Sequence, residues 1–272
     1  MSVKGLGRLV LEPTRIPRAI LRRMPRASFE TRLKWDAVDR PGYAYGTYQA
    51  ALEARALGLS GISVIEMGVA GGQGLLALES HARAIQTRLG IKIDAFGFDM
   101  GSGLPEPRGY QDMPYVWRSG YFAMNGHVLR DRLVAAEIIV GDVAQTVPQF
   151  LTRPSLPPIG FVAFDLDYYS STAAALALLE ADPHLLLPRV FSHFDDVIGD
   201  DWELHSEYTG ELLAIAEFNA SHSDRKLALI HGLAYKRAIA AEWHAKQYVL
   251  HYFSHPLYEK HVGRSDWQIP IG

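Results

Sequence analysis

Five short apolar runs, residues 62–68, 93–99, 137–142, 159–165 and 189–196, alternate with stretches whose leucines and alanines recur at helical spacing. That alternation constrains the chain more than any other feature. Strand, helix, strand in repeated order predicts a parallel sheet with helices on both faces. The helical stretches are 74–89, 127–135, a short turn in AQTVPQFL, 171–181 and 211–221. Two later runs, 226–232 and 247–253, bring the expected sheet to seven strands. We therefore expect a doubly wound, mostly parallel seven-stranded α/β sheet. A helix from Thr47, stopped by Gly58 and Gly61, precedes it. Before that helix, Pro13, Pro17 and Pro25 allow only short helices in an N-terminal arm. The expected division is an arm and helix over 1–57 and a main domain with a C-terminal extension over 58–272.

In open α/β sheets, ligands bind beyond the carboxyl ends of the strands. Each of the five runs ends at or beside a carboxylate: Glu66, Asp99, Asp142, Asp165, and the pair Asp195 and Asp196. Five coincidences of this kind point to one acidic site along the sheet edge.

Composition removes several function classes. The chain of 272 residues has no cysteine, so it has no disulfide, no thiolate metal site and no cysteine nucleophile. No apolar run reaches the roughly 18 residues that span a bilayer. The N-terminal stretch VKGLGRLVLEPTR is broken by Gly, Arg and Pro and does not read as a signal peptide, so we expect a cytoplasmic protein. Net charge is −3, but residues 1–28 hold Lys4, Arg8, Arg15, Arg18, Arg22, Arg23 and Arg26 against Glu12 alone. A basic arm on an acidic body suits packing on a neighbouring copy, and a homo-oligomer is expected. No aromatic interleaving supports nucleic-acid recognition, and none is expected.

The turn IEMGVAGGQG admits two cofactor registers. Gly72-Gln-Gly74-Leu-Leu-Ala77 matches the dinucleotide pattern GxGxxA. Its first glycine lies late after the strand, and Asp99 follows farther on than the roughly 20 residues that pattern prefers. The other register is Glu66-x-Gly68-x-Ala70-x-Gly72, with an acidic residue ahead of the glycines. A carboxylate there would repel a pyrophosphate. It would attract the ammonium end of S-adenosylmethionine (SAM), which carries no phosphate. In this register Asp99 accepts from the ribose hydroxyls and Asp142 lies near the adenine.

VIEMGVAGGQG, FGFDMGSGLP, GDVAQTVP, FDLDYYSST and FDDV occur in this order over roughly residues 60–200. In these motifs the chain resembles class I SAM-dependent methyltransferases of the macrocin O-methyltransferase type. The resemblance implies a Rossmann-like fold, SAM as cofactor, and methylation of a hydroxyl on a sugar or related natural product, assisted by a divalent cation. It implies Asp165, Asp195 and Asp196 as metal ligands. The arm and the chain beyond about 205 match nothing in that pattern.

The chemistry of the residues agrees with a cation site. Three carboxylates at neighbouring strand ends raise one another's pKa values. A hard divalent cation such as Mg²⁺ relieves that repulsion with oxygen ligands. Successive strand residues face opposite ways, so Asp195 and Asp196 can share an ion only if the chain turns there. Asp167 is expected to order the turn into the following helix rather than join the ion. Candidate proton acceptors are His193, two residues before Asp195, and His127. Tyr43 and Tyr45 are candidates to cover the cofactor. The leading expectation is a SAM-dependent O-methyltransferase of a small-molecule acceptor. The alternatives are an NAD(P)-dependent oxidoreductase, for which the chain lacks a YxxxK pair, and a non-catalytic protein of the same fold that assembles through its arm.

Overall fold

A computed structural model describes residues 15–24 and 26–263. Lys4, Arg8 and Glu12 of the basic arm lie outside the described residues. Two short helices, α1 (Arg15–Arg23) and α2 (Phe29–Lys34), lead to the long helix α3 (Pro41–Leu57). The alternating part follows as β1 (Gly61–Met67), α4 (Gln73–Leu89), β2 (Lys92–Asp99), α5 (Gly126–Arg130), β3 (Glu137–Val140), α6 (Val143–Leu151), β4 (Ile159–Phe164), α7 (Tyr169–Ala175) and β5 (Leu186–Phe194). The chain closes with α8 (Gly210–Ser221), β6 (Arg225–Leu229) and β7 (Gln247–Tyr252).

The strands form one seven-stranded sheet in the order β3-β2-β1-β4-β5-β7-β6. All neighbours are parallel except β7, which runs antiparallel to both β5 and β6. Every residue of β1 and β4 is buried, as expected for central strands covered on both faces. The first strand reversal in order falls between β1 and β4, and the sheet's ligand crevice opens there.

α3 begins six residues earlier than the sequence suggests. Gly42 and Gly46 look like helix breakers, yet each sits where the helix presses on the sheet. A Cβ on Gly46 would lie 2.3 Å from the Phe161 ring, and one on Gly42 would lie 2.7 Å from His193 Nδ1. Tyr43, Ala50, Ala51 and Ala54 of α3 belong to the same core as the sheet. The expected division at 57/58 thus runs between α3 and the strand it packs against.

The helix expected over 127–135 stops at Arg130. The amides of Val134, Ala135 and Ala136 all donate to the buried Glu79 carboxylate, so they are not free to extend a helix. The stretch 171–181 likewise splits into α7 and a 3₁₀ segment, Leu176–Glu180.

Candidate functional site

The register of the sheet assembles the acidic site. Phe164 of β4 pairs with Phe194 of β5, and their rings stack at 4.6 Å. The next residue on each strand is an aspartate, so Asp165 and Asp195 emerge side by side. β5 then breaks into a 3₁₀ turn, Asp195–Val197, with Asp196 at φ −97°, ψ 37°. The turn that a shared ion demands is present. Asp165, Asp195 and Asp196 each offer an oxygen within 4.8 Å of the others.

The groove beyond β1, β2, β4 and β5 is a cavity of about 560 Å³, within the size range of small-molecule sites. Glu66, Gly68, Ala70, Gly72, Asp99, Asp142, Asp165, Asp195 and Asp196 all line it. The glycine turn is built for close approach. Gly68 has φ 87°, and a Cβ there would lie 1.7 Å from the Asp165 carbonyl oxygen. Only glycine fits, so the β1 turn lies directly against the end of β4.

Beneath that turn, Glu66 is buried. Its Oε1 accepts from the Tyr43 hydroxyl at 3.0 Å, and its Oε2 is buried with no partner among the described residues. Burial raises its pKa well above the ordinary value, the charge of Asp165 adds to the rise, and Tyr43 and Arg40 oppose it. Gly74, at the start of α4, leaves the space; a Cβ there would lie 1.6 Å from Glu66 Oε1. A buried carboxylate oxygen without a donor, under a glycine turn, fits a cationic group such as the ammonium of SAM.

Asp99 ends β2 and lines the cavity, and its carboxylate is already engaged by the chain. Its Oδ2 accepts from the Val69 and Ala70 amides at 2.9 and 2.8 Å, and its Oδ1 accepts from the Gly101 amide at 2.6 Å. Its first task is to tie the glycine turn to the loop after β2, which leaves less acceptor capacity for a ribose. Asp142 caps α6 by accepting from the Ala144 amide at 2.9 Å, while still lining the cavity.

Around the three aspartates, charge is unbalanced. Glu66, Asp165, Asp167, Asp195, Asp196 and Glu211 converge, and the cations paired with them are Arg40 and Lys246. Burial, reinforced by Asp195 and Asp196, holds the Asp165 pKa well above the carboxylate range. Asp196 is raised likewise by burial and by Asp167 and Asp195. Asp195 goes the other way. Burial works against its charge, but the hydrogen bond from His193 and the Lys246 ammonium outweigh it. The donor set is all oxygen, which would suit Mg²⁺ or a similar hard ion.

Several expected residues lie elsewhere. His127 is exposed and does not line the cavity. His193 is buried behind the site; its Nε2 lies 3.3 Å from Asp195 Oδ1 and its Nδ1 meets Gln247 Nε2. Burial lowers its pKa, so it is a neutral support for Asp195, not a group facing the cavity. Tyr45 packs on Trp243 and under Arg237, away from the cavity. Tyr43 is the tyrosine that reaches the site. Asp167 turns the chain with φ 59° and donates its amide to Asp196 Oδ2 at 2.8 Å. Its carboxylate does not cap α7; it lines the cavity instead, with its pKa pushed up to about 8 by burial and then by Asp165, Asp195 and Glu203.

Four contributors were not anticipated. Asp112, from the long loop, accepts from the Ser170 amide at 2.7 Å and so caps α7 in place of Asp167. Glu211 of α8 accepts from the Asp196 amide at 2.9 Å and fixes the ligand turn. Arg40 and Lys246 line the cavity as its counter-charges. None sits at a motif; a basic residue before a helix or strand carries no signal of its own.

No family model matches the chain, and no curated protein does. Among solved structures, a calicheamicin methyltransferase, CalS11, aligns over 88% of this chain and 91% of its own, at 20% identity and a TM-score of 0.54. The fold is that of the class I methyltransferases. The O-methyltransferase NovP aligns over 66% of this chain and 72% of its own, at 19% identity and a TM-score of 0.49. The class I sheet, with a reversed strand between β5 and β6, also differs from the 3-2-1-4-5-6 order of dinucleotide-binding Rossmann domains.

Proposed function

We propose that the chain is a SAM-dependent O-methyltransferase acting on a hydroxyl of a small molecule, a sugar or another natural product, with a divalent cation at Asp165, Asp195 and Asp196. One observation carries the reading: a single cavity joins a glycine turn over a buried, half-partnered Glu66 to three clustered aspartates. The methyltransferase fold shared with CalS11 supports it.

Glu66 would hold the ammonium of SAM, and the Gly68–Gly72 turn would let the cofactor lie against the backbone. Asp142 and the start of α6 border the far end of the same cavity. A divalent cation at the three aspartates would orient an acceptor hydroxyl and lower its pKa. Asp167 then stands as proton acceptor in place of His193 and His127. It lines the cavity, and its carboxylate takes part in no hydrogen bond among the described residues. His193, Lys246 and Glu211 would hold the aspartates in register. The buried Glu66 argues against a pyrophosphate in the turn, and so against the oxidoreductase reading.

Isothermal titration separates the readings. Micromolar binding of SAM with no binding of NAD is expected, and NAD binding without SAM binding would overturn the proposal. The division of charge supports a homo-oligomer with the arm on a neighbouring copy; light scattering of a chain lacking residues 1–28 should show loss of the oligomer. Among the described residues no helix is long and apolar enough to cross a membrane.

A further inference from the structure

Among the described residues, Arg40 is the cavity-lining cation whose surroundings join the two ends of the site. It caps α3 from a left-handed backbone conformation, φ 42° and ψ 65°. Its Nη1 lies 3.8 Å from Asp165 Oδ2, and its guanidinium stands 5.5 Å from the centre of the Tyr43 ring, whose hydroxyl is bonded to Glu66. The other cations lining the cavity are committed or distant in the chain's architecture. Lys246 is paired with Asp195 at 3.3 Å, and Arg108 belongs to the long loop after β2. Arg40 therefore holds a place that a metal would take over, next to the carboxylate that would receive the amino-acid end of the cofactor.

We propose that Arg40 is an exchangeable partner: it stands against the Asp165 carboxyl group while the metal is absent, and binds the α-carboxylate of the cofactor once a divalent cation has taken Asp165. This rests on the SAM and cation reading above, and adds that the two ligands bind cooperatively through this side chain. The physical argument is charge balance. A guanidinium paired with Asp165 is not free for a second carboxylate, and a dication at Asp165 repels it toward one. The planar fork of arginine suits a bidentate carboxylate. Arginine does not give up its proton in proteins, so Arg40 remains a cation in both arrangements. Linkage is reciprocal: whatever factor Mg²⁺ gives to cofactor affinity, the cofactor gives to Mg²⁺ affinity.

The test is calorimetric and needs no turnover. S-adenosylhomocysteine, which keeps the same amino-acid end, is titrated into the full chain with and without Mg²⁺, and Mg²⁺ is titrated alone. In the wild type, Mg²⁺ should tighten S-adenosylhomocysteine by at least roughly fivefold. Arg40→Ala should weaken S-adenosylhomocysteine in Mg²⁺ by roughly 10- to 100-fold and reduce the coupling below about twofold, the scale of one charge-assisted contact. The same variant should bind Mg²⁺ as tightly as the wild type or more tightly, because a competing cation is gone. A merely structural Arg40 would weaken both ligands, and that result overturns the proposal. Arg40→Lys, which keeps the charge without the fork, should retain the coupling at reduced affinity; loss of coupling there also counts against it. Wild-type binding of S-adenosylhomocysteine without any Mg²⁺ coupling sinks the exchange alone. Failure of the wild type to bind S-adenosylhomocysteine at all sinks the underlying SAM reading.

Discussion

The carboxylates at the ends of β2 and β4 occupy equivalent places one strand either side of β1, yet their surroundings are opposite. Asp99 accepts three backbone amides, so its charge is answered by the chain itself. Asp165 faces Asp195 and Asp196, with Arg40 at 3.8 Å as a partial answer. The first arrangement is complete without a ligand and orders the glycine turn. The second gathers three carboxylates with too few donors, the repulsion that the proposed cation would relieve. Burial and proximity alone therefore do not mark a binding carboxylate; the count of donors around it does.

Substitutions should separate the two ends, beginning with the largest effect. Asp165→Ala is expected to weaken Mg²⁺ by more than roughly 100-fold in calorimetry, beyond what supporting groups alone cost. Retained metal affinity would place the ion elsewhere. Glu66→Gln should cost roughly tenfold or more in SAM affinity, while the apo protein melts higher because a buried carboxylate has been removed. A lower melting temperature would mean Glu66 is structural. The sharpest comparison is Asp99→Asn against Asp165→Asn. The first should destabilise the apo protein by about 1–3 kcal/mol, since it leaves an amide without its acceptor. The second should leave the apo protein unchanged or more stable. The same sign for both would erase the distinction.

The acid dependence follows from the raised groups. Glu66, Asp165, Asp167, Asp196 and Glu211 all have folded pKa values above their unfolded ones, and Asp167 reaches about 8. The folded state thus holds more protons than the unfolded chain between the ordinary carboxylate range and about 8. Their stabilisation is full below that window and is lost as pH rises through it. Asp195, lowered, contributes in the opposite sense, its stabilisation being lost as pH falls through its depressed folded pKa. The apo melting temperature should fall from pH 5 to pH 8, and Mg²⁺ should restore more at pH 8 than at pH 5. Equal shifts at both pH values would contradict the account. At the small end, His127→Ala and Tyr45→Phe should change SAM and Mg²⁺ affinities by less than about twofold, because neither residue lines the cavity.

The sheet was legible because alternation and strand-end carboxylates are local in sequence. The three aspartates were legible as strand ends, while the Phe164–Phe194 register that sets them side by side is visible only in the sheet. Asp167 was legible as a turn residue but not as a cavity carboxylate, since the cap of α7 comes from Asp112 across the long loop. Arg40, Glu211 and Lys246 reach the site through tertiary packing, and no spacing announces them. The start of α3 was not legible, because Gly42 and Gly46 stand inside the helix where their absent Cβ atoms allow helix-on-sheet contact.

The central claim is that one cavity holds a cofactor at Glu66 and a cation at the three aspartates. A crystal structure grown with S-adenosylhomocysteine and Mn²⁺, with anomalous differences collected for the metal, tests it most directly. The account predicts a single strong peak ligated by Asp165, Asp195 and Asp196, with the ammonium of the ligand on Glu66. A metal peak elsewhere, or a ligand whose amino-acid end lies away from Glu66, would contradict it.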